Sequence, residues 1–105
     1  MARFSFLVYS NPVAGREQEY NDWYSNQHLK DLLAIPGVTA ARRFKLSATQ
    51  IRDAMPDYRY LAIYDVEADN VQGFVNEIIS RAASGKIARS EAMSVDLLPM
   101  FWEAI

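Results

Sequence analysis

Polar and apolar positions alternate from Arg3 to Ser10, with Phe4, Phe6 and Val8 opposing Leu7 and Tyr9, and this period of two predicts a strand. Asn11-Pro12-Val13-Ala14-Gly15 breaks it, because proline and glycine punctuate and Asn-Pro favours a turn. From Arg16 to Ile35 the period changes: Tyr20, Trp23, Tyr24, Leu32 and Ile35 recur at helical spacing, and Glu17 and Glu19 sit where the helix dipole favours acids. Pro36-Gly37 ends that helix. Val38 to Ser47 predicts a second strand, its even positions Val38, Ala40, Phe44 and Leu46 apolar apart from Arg42, its odd ones including Arg43 and Lys45. Ala48 to Pro56 reads as a loop. Tyr58 to Val66 is the clearest strand, with Tyr58, Tyr60, Ala62, Tyr64 and Val66 on one face and Leu61 and Ile63 on the other. Asp69 then reads as a helix N-cap, with Gln72 completing a capping box, ahead of the stripe Val71, Phe74, Val75, Ile78, Ile79 and Ala82. Gly85 is placed as its C-terminal cap. A last extended segment, with Met93, Val95, Leu97 and Leu98, runs through Pro99 to Phe101 and Trp102.

The order strand, helix, strand, strand, helix, strand is that of a ferredoxin-like βαββαβ plait, an α+β fold whose four-stranded antiparallel sheet carries both helices on one face. The first and third strands are apolar on both sides, so the face away from the helices also needs cover. A second copy packed sheet to sheet supplies it, which predicts a homodimer closed into an alpha-beta barrel.

Composition narrows the function classes. A chain of 105 residues makes one domain, spanning 1–105. There is no cysteine and one histidine, which removes thiolate nucleophiles, disulfides and thiolate metal sites and makes a structural zinc site improbable. A formal net charge of -2 and one short basic cluster, Arg42, Arg43 and Lys45, argue against nucleic acid as a partner. No apolar run is long enough to cross a bilayer, and Asn11, Pro12 and the acids after Gly15 do not make a signal-peptide cleavage region, so the expected location is the cytoplasm. Glycine-rich phosphate loops, Gly-x-Ser-x-Gly elbows and dinucleotide fingerprints are missing, and the expected chemistry is cofactor-free.

The two helices differ in kind. At 100° per residue, Tyr20, Trp23, Tyr24, Gln27, His28, Asp31 and Ile35 of the first helix share about half the circumference. An aromatic surface interrupted by a few polar groups lines small-molecule pockets, whereas the second helix presents a plain aliphatic stripe. His28 follows Tyr24 by one turn and precedes Asp31 by three residues, so an Asp31 carboxylate reaching the imidazole would fix its tautomer and favour a protonated ring working near neutral pH. The competing reading is a core histidine hydrogen-bonded to Asp31 with no further role. Tyr60 and Tyr64 are placed as hydroxyls in the same cavity, against the ordinary preference of tyrosine for strands. Tyr9 and Asn11 lie where a pocket mouth would form, and Trp23, Tyr24 and Gln27 are candidate ligand contacts. Arg42 and Arg43 face opposite sides of the second strand, and one of them would meet an anionic group. Phe101 and Trp102 are assigned to the dimer contact.

The stretch "YNDWYSNQHLKDLLAIPGV", followed by a strand continuing "TAARRFKL", resembles the dimeric alpha-beta barrel superfamily and, within it, the EthD-like proteins. Trp23, His28, Leu29, Pro36 and Gly37 match the shared pattern of an aromatic, an "HL" pair and a downstream Pro-Gly. The resemblance implies a homodimer with a cavity between each sheet and its helices. It also implies one activity among those the superfamily hosts: polyketide cyclases, muconolactone isomerase, cofactor-free quinol-forming monooxygenases, haem-degrading monooxygenases and stress-responsive proteins. Cyclases and haem-degrading members of this kind place a histidine in the second half of the chain, and residues 69 to 105 contain none.

Two functions follow as expectations. The first is a cofactor-independent isomerase, cyclase or lyase acting by proton transfer on an aromatic or polyketide-like molecule, with His28 as acid or base, Asp31 orienting it, Tyr60 or Tyr64 polarising a carbonyl and Trp23 as wall. The second is a non-catalytic dimer that binds a small hydrophobic ligand or serves in stress; a cofactor-free monooxygenase is a weaker third.

Overall fold

The computed structural model describes residues 1–53 and 56–105, so the expected loop from Ala48 to Pro56 is described except at Ala54 and Met55, which lie outside the described residues. The elements run β1 (Ala2–Ser10), a helix in three pieces, β2 (Val38–Lys45), β3 (Tyr60–Ala68), a second helix, and β4 (Leu98–Glu103). The first helix comprises α1 (Glu17–Trp23), a π-helical turn (Tyr24–His28) and α2 (Leu29–Leu33); the second is α3 (Val71–Ala83). The sheet is antiparallel with order β2-β3-β1-β4, the plait that the alternation of elements predicted. Among the described residues no helix is long and apolar enough to cross a membrane.

Alternation along the two central strands assigns the faces. Phe4, Phe6 and Val8 of β1 and Tyr60, Ala62, Tyr64 and Val66 of β3 are buried beneath Tyr20, Tyr24 and Leu32 of the first helix, Ile35 just past its end and Phe74 of α3. Phe101 of β4 joins this core, stacked on Phe6 with centroids 4.5 Å apart, an arrangement that adds about 1 kcal/mol to its burial. Its assignment to the dimer contact is therefore corrected: β4 turns Phe101 toward the helices and leaves Trp102 on the other face.

Three local readings are also corrected. The N-cap of α3 is Asn70 rather than Asp69: Asn70 is extended, and its Oδ1 accepts the Gly73 N–H at 2.7 Å. Gln72 completes no capping box, because its amide donates instead to Asn76 Oδ1. Replacing Asn70 by alanine strands the Gly73 N–H and is expected to cost about 1 kcal/mol, read as a lower urea midpoint with unchanged slope. Tyr58 precedes β3, and its hydroxyl donates to Asp96 Oδ1. In β2 the register slips between Val38 and Ala40, a bulge at Thr39 that moves every later side chain to the opposite face. Ala41 and Arg43 consequently point toward the helices, beside Tyr64 and Ala62, while Arg42 and Phe44 point away with Ile63 and Leu61.

Gly37 makes the hairpin from helix to β2 possible. Its φ is +100°, and a Cβ there would lie 2.6 Å from the Glu67 carbonyl oxygen, so only glycine fits. On the face away from the helices Leu7, Tyr9, Phe44, Leu61, Ile63, Leu98, Met100 and Trp102 form a largely apolar surface crossed by the exposed Arg42–Asp65 pair. Trp102 and Phe44 keep 54% and 46% of their surface, more than a lone soluble domain leaves on so many large side chains of one face.

Candidate functional site

The first helix does not keep the 3.6 period its sequence suggests. At Tyr24–His28 the chain takes a π turn, and the Leu29 N–H donates to the Tyr24 carbonyl five residues back. One extra residue in a turn rotates everything after it by most of a residue step. Leu29 and Leu32 thereby take the positions over the sheet, and His28 swings from beneath Tyr24 to the side of the helix that faces the segment between α3 and β4. Spacing of five also brings Trp23 over His28: the rings stack 4.6 Å apart at 27°. Tyr24 closes the other side edge-on at 4.8 Å.

The stacked Trp23 and His28 rings form one wall of a cavity of about 380 Å³, within the size range of small-ligand sites. Ala82 from α3 and Ile87, Ala88, Met93 and Leu97 from the connecting segment supply most of its apolar lining. Two polar atoms of these rings, Trp23 Nε1 and His28 Nδ1, are buried with no hydrogen-bond partner among the described residues. Leaving a polar atom in this condition costs about 1 to 3 kcal/mol, so such atoms ask for an explanation. Burial also dominates the imidazole's titration, pulling its pKa down to about 4 against an opposing pull from Asp31. His28 is therefore neutral at pH 7, and the protonated ring expected from the Asp31 spacing is corrected: burial outweighs the neighbouring carboxylate.

Asp31 has other partners. One carboxylate oxygen takes the Gln27 amide at 2.8 Å and the other takes the Ala88 backbone N–H at 2.9 Å, which pins the cavity wall to the helix that carries His28. Gln27 itself is exposed. The structure does not bring Tyr60 or Tyr64 to the cavity. Tyr64 is fully buried in the core, its hydroxyl beside that of Tyr24; neither has a hydrogen-bond partner among the described residues, and burial raises the Tyr64 pKa and pushes Tyr24 up to about 12. Tyr60 belongs to a polar seam between β3 and α1, donating to Glu17 Oε2 at 2.5 Å and accepting from Asn21 at 3.3 Å. That seam holds Arg43, whose guanidinium lies 4.4 Å from the Tyr24 ring centroid and donates to Asn21 and Ser25. Glu17, whose carboxyl is held below its ordinary range first by the Tyr60 hydroxyl, completes it.

Tyr9 and Asn11 lie apart from the cavity as well. Tyr9 is on the far face of the sheet, in a hollow with Phe44 and Leu61. Asn11 clasps the loop before β3, donating to the Asp57 carbonyl and accepting from the Arg59 N–H. Of the candidate residues, then, Trp23 and His28 meet at the cavity, with Tyr24 packed behind the His28 ring and Asp31 bracing the wall. The sequence reading placed Met93, Val95 and Leu97 in the last extended segment and gave them no role in a pocket; β4 begins only at Leu98, and the irregular stretch before it lines the cavity. Ile87, Met93 and Leu97 gave the one legible signal, apolar residues recurring in an otherwise irregular segment.

No family model and no curated relative matches the sequence. Solved structures match its whole length. A DABB family protein with a ferredoxin-like fold from Mesorhizobium loti is 17% identical over 100% of this chain and 99% of its own, with a TM-score of 0.67. An EthD-like protein from Ralstonia eutropha is 16% identical over 99% of this chain and 91% of its own, with a TM-score of 0.60. A dimeric ferredoxin-like protein of unknown function from Jannaschia is 16% identical over 97% and 99%, with a TM-score of 0.62. At such identities the likeness is one of architecture: the chain has the ferredoxin-like plait that DABB and EthD-like structures share.

Proposed function

We propose that this protein is a homodimer, packed sheet to sheet, that binds a small ring-containing molecule in the cavity beside Trp23 and His28. The observation that carries the reading is a largely apolar cavity of about 380 Å³ walled by the stacked Trp23 and His28 rings, with a few polar side chains in its lining, the make-up of small-molecule sites. The apolar far face supports the dimer, as does the dimeric state of the Jannaschia protein. A thermal-shift screen of aromatic acids, phenols, quinones and lactones tests it, because a molecule that binds only the folded state raises the midpoint. The expected result is at least one hit whose shift falls by half or more in His28→Ala. A panel without hits, or hits indifferent to His28 and to Trp23→Leu alike, would contradict the cavity as the binding site.

A second reading adds turnover: His28 as the base in a cofactor-free proton transfer. Its neutral state at pH 7 favours this, since a base must arrive unprotonated. A rate governed by His28 stays flat from pH 9 to 5 and falls as pH drops through about 4, where the imidazole takes its proton. A limb centred near 6.5 would instead belong to an exposed imidazole.

A further inference from the structure

The segment between α3 and β4 brings a cation and two hydroxyls to the cavity. Arg89 is the only charged side chain in its lining among the described residues, and it enters no ion pair there. Ser90 and Ser94 also line it, and each hydroxyl oxygen already accepts a backbone N–H, from Ala92 at 3.1 Å and from Asp96 at 3.3 Å. Each O–H is therefore left to donate. Among the described residues no carboxylate joins the lining, and both oxygens of Asp31 are committed, to Gln27 and Ala88. One cation and two hydroxyl donors, with no carboxylate beside them among the described residues, and an aromatic wall are complementary to an apolar ring bearing an anionic acceptor group.

We infer that the ligand of this cavity is an aromatic carboxylate, its carboxylate held by Arg89 with the Ser90 and Ser94 hydroxyls and its ring packed along Trp23 and Leu97. The inference rests on the cavity being the binding site and adds the charge of what binds there. At the rim, Arg89 meets the incoming anion before the ring is buried, so affinity falls with ionic strength.

Isothermal titration calorimetry of 1-naphthoate and of its neutral isostere 1-naphthamide, on wild type and on Arg89→Gln, separates the two claims. Arg89 is exposed and outside the core, so the substitution leaves the fold intact, as far-UV circular dichroism will show. The expected result is that wild type binds the acid at least tenfold more tightly than the amide, and that Arg89→Gln removes this preference without weakening the amide. Equal affinity for acid and amide in wild type, or a preference that survives Arg89→Gln, overturns the inference and leaves the cavity as a site for neutral rings. Failure of both compounds to bind overturns the inference together with the reading beneath it.

Discussion

Between pH 7 and pH 4 His28 alone is expected to cost this protein about 3 kcal/mol of stability, and His28→Phe to abolish that loss. In the unfolded chain the imidazole takes a proton near its ordinary pKa of about 6.5; in the folded chain burial holds it down to about 4. Through that window the unfolded state binds the proton and the folded state does not, so stability falls as pH falls. Below about 4 both states are protonated and this contribution stops changing. Phenylalanine keeps the stack on Trp23 and has nothing to titrate. Other groups also respond to acid, Glu17 among them, because its carboxyl is held low by Tyr60 and so loses stabilisation on protonation. The quantity to read is therefore the difference between wild type and His28→Phe in urea unfolding at several pH values. A difference that moves by about 3 kcal/mol in favour of His28→Phe between pH 7 and pH 4 supports the neutral imidazole, and parallel curves would show that His28 is solvated.

Leu7→Asp is expected to convert the proposed dimer to a monomer. Leu7 sits mid-strand on the face away from the helices, paired with Ile63 on one side and Met100 on the other. In a sheet-to-sheet dimer each copy buries its own aspartate without a partner, and an uncompensated buried charge costs about 3 kcal/mol or more. Because symmetry counts the substitution twice, the dissociation constant should rise by more than about a hundredfold. Light scattering on the eluting peak would then give 12.0 kDa in place of twice that mass. The far-UV spectrum should not change, since Leu7 lies outside the buried core. A wild-type protein of monomer mass, or a variant that stays dimeric, would remove the sheet-to-sheet contact.

The sequence carried the fold further than it carried the site, for physical reasons visible in particular residues. Phe4, Phe6 and Val8, or Tyr60, Ala62 and Tyr64, declare their face because a strand alternates strictly and one face is core. Alternation fails as a guide once a residue is inserted, as at the Thr39 bulge, which decided that Arg43 rather than Arg42 meets the helices. The π turn at Tyr24–His28 is the same failure in a helix. A wheel of fixed pitch places His28 over the sheet, and one extra residue turns it toward the cavity. Long-range partners were equally out of reach. Asp31 sits three residues from His28, yet its oxygens go to Gln27 and to Ala88, 57 positions away. Proximity along a helix is not contact when a segment remote in sequence offers an unpaired N–H.

The central claim, that a small molecule enters beside Trp23 and His28, is tested most directly by a nitrogen-15 NMR titration with 1-naphthoate or 1-naphthamide, whichever binds more tightly. The two indole N–H signals serve as opposed reporters, because Trp23 lines the cavity and Trp102 lies on the far face of the sheet. A shift of the Trp23 indole and the His28 ring nitrogens, with Trp102 unmoved, is the result this account predicts. Movement of Trp102 with Trp23 and His28 silent would place the ligand on the open sheet face and contradict it.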